Sequence, residues 1–141
     1  DSILASVSGD GAVGPGASTT LTVSTTDEMA THLSIVSMLV NTNDAFTGLT
    51  AMDLSSLAVD SPQTWTLGVY DAGTEANSEL AGTIPGPADG GTGYDAERDD
   101  VDFVAKHSGV VTMDDGLSTS VLTQAHRFDN PAIKLTITRK Q

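Results

Sequence analysis

Three acidic residues follow segments typical of β-strands, at positions where their carboxylates could meet. Asp44 lies in the loop after the apolar segment 32–42, and Asp71 and Glu75 follow the segment "TWTLGVY". Ca²⁺ takes six to eight oxygen ligands in irregular geometry, so three carboxylates with carbonyl and water oxygens suffice. If both loops lie at one end of a sheet, this spacing predicts a calcium site.

The chain around these acids favours the same interpretation but leaves a simpler one open. Gly73, in "YDAGTE", allows the chain to curl so that Asp71 and Glu75 face one ion. The alternative is that Asp71 forms an Asx-turn and that Glu75 is solvated.

The elements that must position these loops are mainly short strands. Alternating or continuous apolar residues, bounded by Gly, Pro and Asp, predict strands. The predicted strands cover 18–26, 32–42, 64–70, 120–128 and 132–138, with short candidates within 101–113. The segment 32–42 is expected to be a central strand buried on both faces. In the last strand, Ile133, Leu135 and Ile137 are expected to face inward.

Helical patterns are weak, which favours an all-β fold. The stretch 43–57 allows a helical turn or two, without a sustained 3.6-residue period. Strands separated by turn residues are typical of an antiparallel β-sandwich. The acidic, glycine-rich segment 81–100 is predicted to be a long exposed loop.

Composition limits the classes of partner. The 141 residues indicate one domain, residues 1–141, and the net charge of −13 argues against nucleic acid and anionic membranes. No run is long enough to span a membrane. The absence of cysteine excludes disulfides and thiol chemistry. The chain opens at Asp1 without a leader, so we expect that any signal peptide has been removed.

Catalytic and other metal motifs are not found in the sequence. There is no G-x-S-x-G elbow, and the histidines show no H-E-x-x-H spacing. The acidic run 95–102 lacks the EF-hand pattern and is interpreted as a solvated loop, with a second cation site as the alternative. We therefore expect no enzymatic activity.

Two stretches resemble the spondin N-terminal (F-spondin) domain, a module of extracellular matrix proteins. They are "NTNDAFTGLTAMDL" and "LGVYDAGTEANS", of which Tyr-Asp-Ala-Gly-Thr is the specific part. The ending "NPAIKLTITRK" is similar to the last strand of that family. The resemblance covers roughly residues 31–139 and is greater to bacterial secreted members than to animal ones.

The resemblance implies a C2-like β-sandwich that binds calcium at one end. It assigns carboxylate ligands to Asp44, Asp71 and Glu75 and a backbone carbonyl ligand to Leu67. Glu75 stands where the family has aspartate, so its carboxylate reaches one methylene further. Ser55 stands where animal members have a cysteine, so their disulfide is missing.

Together these observations predict a secreted or cell-surface calcium-binding adhesion module. An extracellular protein or glycan is the expected partner, and the chain is expected to be a monomer. The alternative is a calcium-dependent carbohydrate-binding module, which requires exposed aromatic side chains. Beyond its phenylalanines, the chain offers Trp65, Tyr70 and Tyr94 for that role.

Overall fold

The regular secondary structure of the protein consists mostly of strands in antiparallel sheets. The computed structural model describes residues 3–27, 29–91 and 95–141. The strands are β1 (His32–Met38), β2 (Ala45–Asp53), β3 (Gln63–Leu67), β4 (Val69–Asp71), β5 (Ala105–Lys106) and β6 (Ile133–Ile137). Helical structure in these ranges is confined to three single 3₁₀ turns, Pro87–Asp89, Met113–Asp115 and Gln124–His126. The predicted all-β class is therefore confirmed, and no helix of the described ranges is long and apolar enough to cross a membrane.

The larger sheet carries the predicted site at one end. Its four strands lie in the order β1-β2-β4-β5, and every neighbouring pair is antiparallel. Gly48 of β2 lies so close to β1 that a Cβ there would stand 3.2 Å from the Val36 Cα and the Ile35 carbonyl carbon. The two strands therefore approach each other more closely than a side chain at Gly48 would permit.

The smaller sheet pairs β3 with β6. Trp65 lies opposite Leu135, and the hydroxyl groups of Thr64 and Thr136 are 2.8 Å apart. A single parallel bridge, Val59 with Arg139, follows beyond the end of β6. The sheet thus joins the middle of the chain to its last strand.

Gly68 separates the two sheets within what the sequence predicts as one strand, 64–70. Its carbonyl accepts a hydrogen bond from the Thr47 hydroxyl at 2.7 Å. The Asn130 side chain pairs with the next residue, because its Oδ1 accepts from Val69 N and its Nδ2 donates to Val69 O, each at 3.0 Å. Side-chain hydrogen bonds thereby take the place of a continuous ladder at the switch from β3 to β4.

The buried apolar core is small. Among the described residues it consists of six aliphatic side chains: Ala45, Leu57, Leu67, Val69, Ile84 and Leu122. Ile84 is fully buried although it belongs to the predicted exposed loop 81–100, so this loop is anchored in the core at its start. Residues 92–94, which include Tyr94, lie outside the described ranges.

Several strand predictions are wrong. Residues 18–26 and 120–128 contain no strand, and the stretch 43–57 contains β2 instead of helical turns. The segment 32–42 forms an edge strand with an exposed face instead of a doubly buried one. In β6, Leu135 and Ile137 are half-buried as expected, but Ile133 is exposed.

Candidate metal centre

Asp44 and Asp71 meet at one end of the larger sheet. Asp44 directly precedes β2, Asp71 is the last residue of β4, and Ala45 is the register partner of Asp71. Both carboxylate residues are largely buried, with 9% of their surface exposed. The antiparallel pairing of β2 with β4 therefore brings together two acids that are distant in sequence.

The loop after β4 folds back over this end. Gly73 adopts a left-handed φ of 69°, and its N–H donates to Asp71 Oδ1 at 2.7 Å. A Cβ at Gly73 would lie 2.9 Å from the backbone nitrogen and carbonyl carbon of Phe103. The carbonyl of Gly73 accepts a hydrogen bond from Asp102 N at 2.8 Å, which fixes the turn against the segment before β5. Glycine is required here both by φ and by the close approach.

The curled loop presents three donors to a single oxygen of Asp44. Asp44 Oδ2 accepts from Thr74 N at 2.7 Å, from the Thr74 hydroxyl at 2.7 Å and from Glu75 N at 3.0 Å. Burial acts to raise the pKa of Asp44, but these hydrogen bonds outweigh burial and hold the pKa below its usual value. The carboxylate is therefore ionised at neutral pH. Its other oxygen, Oδ1, is buried without a hydrogen-bond partner.

Glu75 lies among other carboxylates. Burial raises its pKa, and so do the negative charges of Asp44, Asp95 and Asp99, in that order. Its Oε2 is also buried without a partner. Asp99 belongs to this neighbourhood because its Oδ1 accepts a hydrogen bond from Ala76 N at 2.7 Å. The 95–102 run, interpreted from the sequence as a solvated loop, therefore contributes charge to the site.

Asp71 is already engaged in hydrogen bonds. In addition to the bond from Gly73, its Oδ2 accepts from Asn77 Nδ2 at 2.5 Å. Each carboxylate oxygen has more than one acceptor position, so these bonds leave lone pairs available. Asp71 can therefore orient its own loop and still coordinate an ion.

His107 lies beside the acids, although its position in the sequence does not predict this. Its Nδ1 accepts a hydrogen bond from Gly109 N at 2.9 Å, which assigns the ring proton to Nε2. Burial lowers the pKa of His107, although the nearby charges of Asp71 and Asp44 act to raise it. The protonated Nε2 is buried without a hydrogen-bond partner, and a neutral ring does not compensate the charge of the acids. Nothing in the local sequence indicates this, because His107 reaches the site through β5.

Asn43, beside Asp44, connects the site to a second layer of buried polar groups. Its Nδ2 donates to the Thr83 hydroxyl at 2.9 Å, and its Oδ1 accepts from Glu79 N at 3.2 Å. Glu79 is only 2% exposed, its Oε1 accepts from Val111 N at 3.1 Å, and its Oε2 has no partner. The Asp44 loop is thereby joined to the chain around residue 111.

The predicted ligands are only partly brought together. Hydrogen bonds and pairing connect Asp44, Asp71 and Glu75, whereas Leu67 lies in β3, opposite Ile133 of the smaller sheet. Over the described residues, no group of three or more His, Cys, Asp or Glu side chains is positioned to hold a metal ion. Two buried carboxylate oxygens without partners, one on Asp44 and one on Glu75, nevertheless fit a hard cation.

Comparison with known proteins adds no relative. No protein-family description, curated protein or solved structure matches the chain.

Proposed function

We propose that this chain is a secreted, calcium-binding β-sandwich module of spondin type, which acts in adhesion and has no catalytic activity. The observation that carries the proposal is the state of Asp44. This carboxylate is buried and ionised, and its Oδ1 has no hydrogen-bond partner. A buried anionic oxygen without a partner is costly unless a cation or a donor meets it.

The surroundings of Asp44 favour a cation over a donor. The charges of Asp44, Asp95 and Asp99 all act on Glu75, and burial disfavours the charged form of His107. The carboxylates therefore repel one another, and among the described residues the basic side chain that acts on Asp44 is His107, whose charged form is disfavoured by burial. A bound divalent ion would supply the missing positive charge.

The ligand chemistry favours calcium. Carboxylate oxygens with backbone and water oxygens are the set that Ca²⁺ takes in flexible geometry, whereas Mg²⁺ requires near-ideal octahedral geometry. We assign the ion to Asp44 and Glu75, with Asp71 as the third carboxylate. Leu67 is the least supported ligand, because its strand belongs to the other sheet.

The resemblance in the Tyr70–Glu75 stretch supports the spondin assignment and, with it, a role in adhesion. The site itself supports a structural role for the ion, since Asp44 already joins the start of β2 to the loop after β4. The ion would hold these two acidic elements together at one end of the sheet.

Thermal unfolding with calcium and with chelator tests this proposal. If the dissociation constant is about 10⁻⁴ M, as extracellular modules show at their tighter end, a hundredfold excess of ion adds about 2.7 kcal/mol. For a chain of this length the melting temperature rises by on the order of 10 °C. Asp44→Asn is expected to lose most of this rise.

The matched control is Asp10→Asn, which removes an exposed charge from the N-terminal segment. It is expected to keep the full calcium-dependent rise. Asp95 is unsuitable as a control, because its charge acts on Glu75. Equal calcium responses of Asp44→Asn and Asp10→Asn would show that Asp44 is not a ligand.

A further inference from the structure

The two longest uncharged runs of this acidic chain lie side by side in the sequence. With His32 neutral, residues 11–26 and 29–43 contain no charged side chain, while the whole chain carries a net charge of −13. Net charge of this size opposes association of copies by repulsion. The two runs are therefore the parts of the chain where association is least opposed.

The first run contains a strand-like segment that pairs with nothing. Residues 18–26, "STTLTVSTT", alternate apolar and hydroxyl side chains, yet they form no strand. All residues from 3 to 27 are exposed, including Leu21 and Val23. The backbone of 18–26 makes no hydrogen bond with another backbone group of the described residues. A segment of high β-propensity thus keeps its backbone groups available.

The second run contains the edge strand β1. Among the described strands, β2 is its only hydrogen-bonded neighbour, so the other side of β1 is open. Val36, with 73% of its surface exposed, and Met38 make this strand apolar on the solvent side. Natural edge strands are usually protected by charged residues, proline or a covering element. β1 contains neither a Lys, Arg, Asp or Glu nor a proline.

The accessible surface area of the chain is larger than that of a compact monomer of the same mass. The chain exposes 9429 Å², whereas a compact monomer of this mass exposes about 6,800 Å². The excess of about 2,600 Å² is roughly three times the 800 Å² that each side of a standard interface buries. Self-association through an extended segment therefore has enough surface to form.

We propose that residues 18–26 of one copy add to the free edge of β1 in a second copy, and that the exchange is reciprocal. Backbone hydrogen bonds along the new strand supply affinity, as in other cases of β-strand addition. Because each copy has one segment 18–26 and one free β1 edge, a two-fold symmetric dimer satisfies both.

Within a single copy, residues 18–26 do not pair with β1. Ser24, Thr25 and Thr26 line an open cavity together with Leu4 and Gln141, next to the end of the chain that follows β6. Between the segment and β1, Ala30 N donates a hydrogen bond to Asp27 O at 3.1 Å. The two elements lie close in sequence yet remain unpaired in the single copy, so both are accessible to a second copy.

Sedimentation analysis of the full chain at physiological salt, over the micromolar range, measures the association. Wild type is expected to be a dimer at the upper concentrations. Thr22→Pro removes a backbone donor from the middle of the segment, and Val36→Lys places a charge on the edge. Each is expected to weaken dimerisation at least about tenfold, which corresponds to 1.4 kcal/mol of lost pairing.

The control variants are Val7→Pro and Val101→Lys, which change exposed residues outside the two elements. They are expected to dimerise like wild type, and circular dichroism verifies that all four variants remain folded. A monomeric wild type at every concentration would overturn the proposal. Equal dimerisation of all four variants would overturn it as well.

A disulfide test separates exchange between copies from pairing within one. The chain has no cysteine, so the double variant Val23→Cys, Val36→Cys contains the only two thiols. Oxidation is expected to yield a covalent dimer on a non-reducing gel. A cross-linked monomer would show that the segment folds back onto its own β1, and the proposal would be wrong.

Discussion

Replacing Gly73 by alanine should destabilise the site loop by more than backbone strain alone. Gly73 has a φ of 69°, and a side chain in the left-handed region costs about 1–2 kcal/mol. The added Cβ would also stand 2.9 Å from two backbone atoms of Phe103. The backbone of Phe103 cannot rotate away, so the segment before β5 must shift, and overpacking of this kind costs about 1–3 kcal/mol more. The expected loss of unfolding free energy is about 2–5 kcal/mol.

Gly90 provides a control with the same strain and no clash. Its φ is 72°, and a Cβ there would meet nothing within 4 Å. Gly90→Ala should therefore cost about 1–2 kcal/mol. Urea unfolding of both variants in chelator measures the difference, provided that the denaturant slope is unchanged. Equal losses would refute the argument that contact with Phe103 fixes the Gly73 turn.

Two further predictions concern buried polar groups and use the same assay. Asn130→Ala leaves the N–H and C=O of Val69 without their side-chain partner, so stability should fall by about 1–3 kcal/mol, and a loss near zero would contradict this role. Burial raises the pKa of Glu79 in the folded protein, against the hydrogen bond from Val111. The stabilisation from protonated Glu79 is therefore present below its unfolded-state pKa and is lost as pH rises through the folded-state pKa. Relative to wild type, Glu79→Gln should become more stable as pH rises from acidic to neutral, and parallel pH profiles would contradict this.

The turn from Asp71 to Glu75 could be predicted from the local sequence. Asp71 comes at the end of an apolar strand, and Gly73 allows the turn that brings Glu75 back toward the sheet. The order of acid, glycine and acid indicates this turn, and the hydrogen bond from Gly73 N to Asp71 Oδ1 is that of the Asx-turn that the sequence left open as the alternative. The meeting of Asp44 with Asp71 required one further assumption, that the predicted strands 32–42 and 64–70 share a sheet. β1 and β4 do so, but only through β2, which the sequence did not predict.

The remaining features depend on contacts between distant parts of the chain. Residues 120–128 have strand-like alternation but form no strand. Leu122 is buried in the core, and Thr123 N donates to His126 Nδ1 at 2.9 Å, which caps the 3₁₀ turn Gln124–His126. His107 and Glu79 are recognised as site neighbours only from their burial and from hydrogen bonds to residues distant in sequence, His107 N to Val69 O and Glu79 N to Asn43 Oδ1. A strand exists only where a partner strand is present, and sequence periodicity does not specify that partner.

Calorimetric titration of the chelator-treated protein with calcium tests the central claim most directly. We expect one ion per chain, with a dissociation constant of about 10⁻⁴ to 10⁻³ M and much weaker binding of magnesium. Asp44→Asn should abolish the saturable heat, while Asp10→Asn should leave it unchanged. If wild type shows no saturable heat, or if magnesium binds as tightly as calcium, the acidic end of the larger sheet is not a calcium site.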